Sequence, residues 1–191
     1  MNPELLDQQE RLILVGLARQ ALEHAVRHRK IMSIGSEFEH NRLNQPAACF
    51  VTLHIEDRLR GCVGTVEAYR PLFDDIAENA FNAARLDPRF NPVTKSELQH
   101  IRVSLSLLTA PEVLTINDED ELRQQIVPGR DGLILKAGMR RGLFLPAVWE
   151  QIPDVADFLQ HLKRKAGLKV NFWSRDIEIS RFYAIEIEED G

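Results

Sequence analysis

The sequence predicts an α+β fold in which a mainly antiparallel sheet is flanked by helices. Residues 48–55 alternate apolar and polar side chains, and a short turn at 56–58 separates them from a second strand, which indicates a β-hairpin. A glycine-rich turn at 128–132 precedes a second hairpin, with strands at 133–136 and 143–145 around the basic loop Gly138–Gly142. Helical stretches interrupt these strands without a regular βαβ alternation, which favours antiparallel pairing.

Four helices follow from apolar residues at helical spacing. The first is predicted from Pro3, with Asn2 as its cap, to about Arg29. The other three helices are predicted over 71–85, where Pro71 occupies the first position, over 118–125 and over 155–166. We expect the 1–191 chain to form a single domain, in which the N-terminal helix and the final strand belong to a larger lobe and the segment at roughly 111–151 forms a smaller one.

Two further strands complete the prediction. Thr94 and Glu97 match a capping box, so a short helical turn leads into a strand at 101–108. A last strand runs through 177–187, where a shift of the apolar phase near Phe182 indicates a bulge. The acidic end of the chain is interpreted as solvated.

Composition narrows the class of protein. The chain of 191 residues carries a net charge of −5, whereas nucleic-acid binders commonly show a basic excess, so nucleic acid is not an expected partner. Two cysteines without a CxxC pair fit a reducing cytoplasm. The N-terminal residues lack the pattern of a signal peptide, and no apolar stretch is long enough for a spanning helix. We therefore expect a cytoplasmic protein without membrane contact.

The stretch Leu59–Ala68 is the strongest candidate for a site. Glycines at Gly61 and Gly64 weaken a strand, and they mark either a bulge or a close approach of backbone to a ligand or helix. Cys62 lies between them, and in an extended strand Arg60 would point to the same face and favour the thiolate. Cys62 is then either a tentative catalytic nucleophile or a small residue that packs in the strand.

Asp87 and Arg89 flank a proline at the end of the second helix. They either present a carboxylate and a guanidinium to an anionic ligand, or pair as a structural ion pair. His24 and His28 have the i, i+4 spacing of a two-histidine metal site. Basic neighbours and the lack of further ligands argue against that site, so we predict no metal and no cofactor.

These residues also carry a resemblance to a known family. The chain resembles the AMMECR-type domain, protein A of the AmmeMemoRadiSam system, from about Leu12 to Phe182. The matching segments are Leu59–Thr65, Asp87–Phe90, Glu97–Leu98 with Val103–Ser106, Gly132–Leu133, Gly142–Pro146 with Trp149, and Lys165–Gly167 with Trp173. The family commonly has isoleucine at the position of Val63. The resemblance implies an α+β fold of two unequal lobes, with the arginine-glycine-cysteine segment near the cleft between them, but it brings no established reaction.

The resemblance also implies genomic association with a radical S-adenosylmethionine enzyme and a Memo-like protein. We predict that the cleft binds a small, anionic molecule, either as an enzyme or as an accessory protein. The ligand-binding residues would be Arg60, Gly61, Gly64, Thr65, Asp87 and Arg89, together with Lys165, which enters through the resemblance alone. The alternative is a non-catalytic interaction module in which the motif is architectural and an apolar patch or the loop Gly138–Gly142 forms the functional surface.

Overall fold

The structure, a computed structural model, describes residues 3–38 and 41–189. Within these ranges the chain forms four α-helices and eight β-strands. The helices are α1 (Gln8–His28), α2 (Leu72–Arg85), α3 (Glu119–Gln125) and α4 (Val155–Lys165). The strands are β1 (Ala48–Ile55), β2 (Arg58–Gly64), β3 (Ile101–Leu108), β4 (Glu112–Val113), β5 (Gly132–Ala137), β6 (Arg140–Phe144), β7 (Ile177–Phe182) and β8 (Ala184–Glu188). The predicted α+β class is confirmed.

The chain divides into two compact units. The first comprises Met1–Thr109 and Ile185–Gly191, and the second comprises Ala110–Ala184. Each unit contains one four-stranded sheet, ordered β2-β1-β3-β8 in the first and β4-β7-β5-β6 in the second. The segment 111–151, which we predicted as a smaller lobe, lies within the second unit, where α4 and β7 extend the same hydrophobic core.

In the first unit, α1 and α2 share a core with one face of the sheet. Val51 and Leu53 on β1, and Val103 and Leu105 on β3, are fully buried in that core. Because neighbouring residues of a strand point to opposite faces, the intervening polar side chains lie on the other face. This second face carries the thiol of Cys62, as the strand register below shows.

The first helix begins later than predicted. Residues Pro3–Leu5 form a separate turn of 3₁₀ helix, and Asp7 caps α1 through a capping box with Glu10. The proline therefore starts a short turn rather than the long helix, and Asn2 lies outside the described residues. Asp118 and Asp154 accept hydrogen bonds at the starts of α3 and α4. The predicted capping box of Thr94 and Glu97 is only half formed: Glu97 accepts from the Thr94 amide, but the Glu97 amide donates to the backbone carbonyl of Thr94 and not to its hydroxyl.

In the second unit, α4 packs on the sheet through Phe158 and Leu162, and the ring of Trp149 stacks on Phe158 at 3.7 Å. The β5–β6 hairpin is tighter than predicted. Its turn contains Gly138 and Met139, and β6 already begins at Arg140. Gly138 has φ 57°, a left-handed conformation that glycine adopts without strain and that permits the short turn.

The predicted last strand is wrong in one respect. It is two strands, β7 in the second sheet and β8 in the first, so the phase shift near Phe182 marks a change of sheet. The acidic end is also more than solvated. The Glu189 carboxylate forms an ion pair with Arg19 and accepts a hydrogen bond from the Val103 amide at 2.9 Å.

Candidate functional site

Strand β2 contains a bulge at Arg60. Cys62 lies opposite Thr52 and Gly61 opposite Leu53, but His54 lies opposite Leu59, which leaves Arg60 as an extra residue. A bulge interrupts the regular alternation of side chains between the two faces. The guanidinium of Arg60 consequently binds Glu97, whereas the thiol of Cys62 accepts a hydrogen bond from the hydroxyl of Thr52 at 3.3 Å.

The ion pair between Arg60 and Glu97 is half-buried. Arg60 Nε donates to Glu97 Oε1 at 2.7 Å, and the Arg60 guanidinium also lies 5.9 Å from the centre of the Phe90 ring. The hydrogen bond from Arg60, supported by those from Thr94, lowers the pKa of Glu97 to about 2. Arg60 Nη1 is buried without a hydrogen-bond partner among the described residues. Arg60 thus joins β2 to the turn that precedes β3.

Asp87 and Arg89 cover the free edge of β2 at Cys62. The amide of Cys62 donates to Asp87 Oδ2 at 2.9 Å, and its carbonyl accepts from Arg89 Nη2 at 3.0 Å. Arg89 also bonds both carboxylate oxygens of Asp87, at 2.9 Å and 2.7 Å. Together these two side chains replace the neighbouring strand that an edge strand lacks.

The charges of this pair are strongly coupled. The hydrogen bonds from Arg89, and then from the Cys62 amide, hold the pKa of Asp87 well below its usual value despite its burial. The pKa of Arg89 is raised, first by Asp87 and to a smaller extent by Cys62. The carboxylate is nearly inaccessible, whereas 53% of the Arg89 side chain is exposed. Arg89 therefore places accessible positive charge beside Cys62.

The face of the first sheet that carries Cys62 also carries a row of polar side chains. Thr52 pairs with Cys62 on one side and with Ser104 on the other, so the three residues share that face. His54, two positions along β1, points the same way. In the adjacent row, the hydroxyl of Ser106 donates to the carboxylate of Glu186 at 2.8 Å.

The two motif glycines have packing roles. A Cβ atom at Gly61 would lie 2.4 Å from the carbonyl oxygen of Ala83, so glycine allows α2 to approach β2 closely. A Cβ atom at Gly64 would lie 2.2 Å from the ring of Phe50, the cross-strand neighbour of Gly64. The close approach predicted at Gly61 is thus made by a helix.

Thr65 belongs to a buried network next to the motif. Its hydroxyl donates to the fully buried Asp75 at 2.6 Å, and the same carboxylate accepts from Arg70, Asn79 and Cys49. Burial and the nearby carboxylate raise the pKa of the Cys49 thiol well above its usual value. Cys49 is therefore an unreactive core thiol. The sequence did not single out Asp75, because an aspartate in the first turn of a helix is ordinarily explained by the helix dipole, and its complete burial has no local signal.

Lys165 lies in the second unit, at the end of α4, with its ammonium 5.1 Å from the centre of the Phe144 ring. The first unit holds the other predicted site residues. Four of them form one continuous contact group. Asp87 and Arg89 bind the backbone of Cys62, and the Phe90 ring lies beside the guanidinium groups of both Arg89 and Arg60. Elsewhere in that unit, His24 and His28 pack their rings 4.6 Å apart. Among the described residues, no cluster of three or more His, Cys, Asp or Glu side chains is arranged to bind a metal ion.

Fold and motif together define a two-sheet α+β protein whose β2 strand carries an arginine-glycine-cysteine motif. The AMMECR1 family model matches residues 15–187, and the chain belongs to this family. It is 40% identical to protein MJ0810 of Methanocaldococcus jannaschii, over 97% of this chain and 92% of that protein. It is 38% identical to protein MK0488 of Methanopyrus kandleri, over 98% of this chain and 92% of that protein.

A solved structure has the same fold. The crystal structure of the uncharacterized protein PH0010 from Pyrococcus horikoshii is 32% identical and superposes with a TM-score of 0.81, covering 97% of this chain and 94% of that one. Within residues 3–38 and 41–189, no helix combines the length and the apolarity that a membrane span requires.

Proposed function

We propose that the Cys62 face of the first sheet binds a small molecule with an anionic group. The observation that carries this proposal is the environment of Cys62, whose thiol accepts a hydrogen bond from the Thr52 hydroxyl and whose carbonyl accepts one from the accessible guanidinium of Arg89. The bonds of Arg89 to Asp87 and to Cys62 use Nε and Nη2, so Nη1 keeps donor capacity for a carboxylate or phosphate.

The bound molecule would then be acted on by Cys62 or presented to a partner protein. Cys62 is a free thiol in a half-buried position, and Asp87 fixes its backbone, which suits a positioned nucleophile or thiol ligand. Membership of the AMMECR1 family supports an accessory role beside a radical S-adenosylmethionine enzyme and a Memo-like protein. Two unpaired cysteines are consistent with function in the cytoplasm.

A non-catalytic interaction module is the second candidate. It is favoured by the internal contacts of the motif, since Arg60 pairs with Glu97, Asp87 pairs with Arg89, and Gly61 accommodates α2. In this case the motif holds β2 in place and the functional surface lies elsewhere.

A binding experiment separates the two candidates. Thermal shift and calorimetry would test the wild type against carboxylates, phosphate esters and nucleotides. We expect stabilisation by at least one anion, retained in Arg27→Ala and lost in Arg89→Ala. Arg27 is a matched control, because it also forms an ion pair in the same unit, with Glu23 at 3.0 Å, but lies on α1, which packs on the opposite face of the sheet. Arg89→Lys keeps the charge and guards against simple misfolding.

The ligand proposal is overturned if no anion stabilises the wild type, or if Arg89→Ala and Arg27→Ala weaken binding equally. The interaction module would be supported instead if a partner protein co-purifies in a stoichiometric amount and binds Cys62→Ser and Arg89→Lys as well as the wild type.

A further inference from the structure

The second unit contains a surface cavity of about 630 Å³, within the size range of small-molecule sites. Three segments line it: the first turn of α3, Gln160 on α4, and the chain at 170–173. The lining residues are Asp118, Glu119, Asp120, Arg123, Gln160, Val170, Asn171 and Trp173. All of them belong to the second unit, so this cavity is independent of the Cys62 face.

A buried lysine holds the lining segments together. The Lys163 side chain is 1% exposed, forms an ion pair with Glu119, and donates to the carbonyl oxygen of Val170 at 3.0 Å. Burial alone would raise the pKa of Glu119, but hydrogen bonds from Lys163 and Arg123 outweigh burial and lower it. Glu119 is therefore an anion whose charge is already compensated by two cations.

The remaining carboxylates of the lining are differently placed. Asp118 and Asp120 are exposed, and Asp118 accepts only a hydrogen bond from a backbone amide, that of Glu121 at 2.8 Å. The three carboxylates of Asp118, Glu119 and Asp120 exceed the two cations, Arg123 and Lys163, so the cavity rim has a net negative charge. Such a rim attracts cations and repels anions.

An aromatic wall faces the same cavity. Trp173 is half-buried, and its indole N–H donates to the carbonyl oxygen of Asn117 at 3.2 Å, which fixes the ring. The ring already interacts with one cation, since the buried Lys163 ammonium lies 5.8 Å from its centre. Val170 adds an apolar side chain beside it. A tryptophan ring attracts organic cations more strongly than the other aromatic side chains do, and an apolar stem can pack on the same surface.

From the combination of aromatic wall, apolar side chain and uncompensated carboxylates, we propose that this cavity binds an organic cation with an apolar stem. The chemistry fits an alkylammonium or guanidinium group, from a free amine or from a lysine or arginine side chain. The charged head would lie near Asp118 and Asp120, with the stem along Trp173 and Val170.

Tryptophan fluorescence offers a direct test. The chain has two tryptophans, and Trp149 is buried against Phe158, so Trp149→Phe leaves Trp173 as the reporter. This protein would be titrated with Nα-acetyl-lysine amide, Nα-acetyl-arginine amide and n-butylamine. The neutral control is Nα-acetyl-norleucine amide, which has a similar stem without the charge. We expect saturable responses to cations only. The amides report a peptide side chain, and butylamine reports a free amine.

Charge variants give the second readout. The double change Asp118→Asn and Asp120→Asn keeps side-chain size, and asparagine also caps helices, so α3 should stay folded. Its affinity for the best cation should fall about tenfold, as expected for two partly exposed ion pairs. Glu150→Gln removes the same type of charge from an exposed site outside the cavity and should leave affinity unchanged.

The proposal is wrong if the norleucine compound binds as well as the lysine compound, or if no cation gives a saturable response. Equal loss of affinity in the double variant and in Glu150→Gln would also overturn it, since the effect would then come from overall charge.

Discussion

The ion pair between Arg60 and Glu97 should contribute a measurable, pH-dependent part of the stability. The pKa of Glu97 falls from 4.5 to about 2, chiefly through its hydrogen bond with Arg60. A shift of that size corresponds to about 3 kcal/mol of folding free energy at most. The side chains of Arg60 and Glu97 are still 16% and 27% exposed. Solvent screening therefore reduces the expected contribution to about 1–2 kcal/mol.

The sign of the pH dependence follows from the direction of the pKa shift. Because the folded pKa of Glu97 lies below the unfolded value, the contribution is complete above the unfolded pKa of 4.5 and is lost as the pH falls towards 2. Urea unfolding of wild type and Glu97→Gln would measure this. At pH 7 the variant should be less stable by about 1–2 kcal/mol, and the difference should shrink steadily below pH 4.5.

Glu178→Gln is the matched control. Glu178 also pairs with a cation, Lys136 at 3.2 Å, but the two side chains are 46% and 51% exposed. Its loss should change stability by less than about 0.5 kcal/mol. The reasoning is refuted if Glu97→Gln is as stable as the wild type at pH 7, or if its deficit is the same at pH 7 and at pH 2.5.

Three further predictions concern the motif and its surroundings. Gly61→Ala should destabilise the protein by about 1–3 kcal/mol, because the new methyl group meets the backbone of α2. Gly16→Ala should instead stabilise it by about 0.5–1 kcal/mol, because the methyl group has open space on α1. Urea unfolding of the two variants measures both changes. A thiol reagent followed by mass spectrometry should label the half-buried Cys62 in the native protein and the fully buried Cys49 only after unfolding; early labelling of Cys49 would contradict the described core. The folding stability of the wild type should rise as the pH rises above the low folded pKa of Asp87. Asp87→Asn should lack this rise, and an unchanged pH–stability profile in the variant would contradict the edge-covering role.

Local signals in the sequence predicted much of the fold. Asp118 and Asp154 mark helix starts, because a capping side chain binds an amide within three residues of itself. Pro71 marks the start of α2 in a different way, through its position directly before the helix. The first hairpin was predicted for the same reason, since its turn and both strands lie within one short segment. The early start assigned to α1 failed because Pro3 fits a 3₁₀ turn as well as an α-helix.

The contacts of the candidate site depend on residues far apart in the chain. Glu97 follows Arg60 by 37 positions, and Asp87 follows Cys62 by 25. Neither pairing leaves a local trace in the sequence. The position of Thr52 beside the thiol required the strand register, which includes a bulge that shifts every later pairing by one residue. Sequence alone thus grouped Asp87 and Arg89 with the motif, but it did not predict that Asp87 binds the Cys62 amide or that Glu97 binds Arg60.

The change of sheet at Tyr183 has a consequence for the order of folding. Strand β8 completes the first sheet beside β3, yet it is synthesised only after the whole of Ala110–Ala184. Until then β3 has an open edge, and Arg19 lacks its Glu189 partner. Contacts so distant in sequence slow folding, since a long loop must close before they form. During synthesis on the ribosome, the second unit can therefore fold before the last strand of the first unit is available.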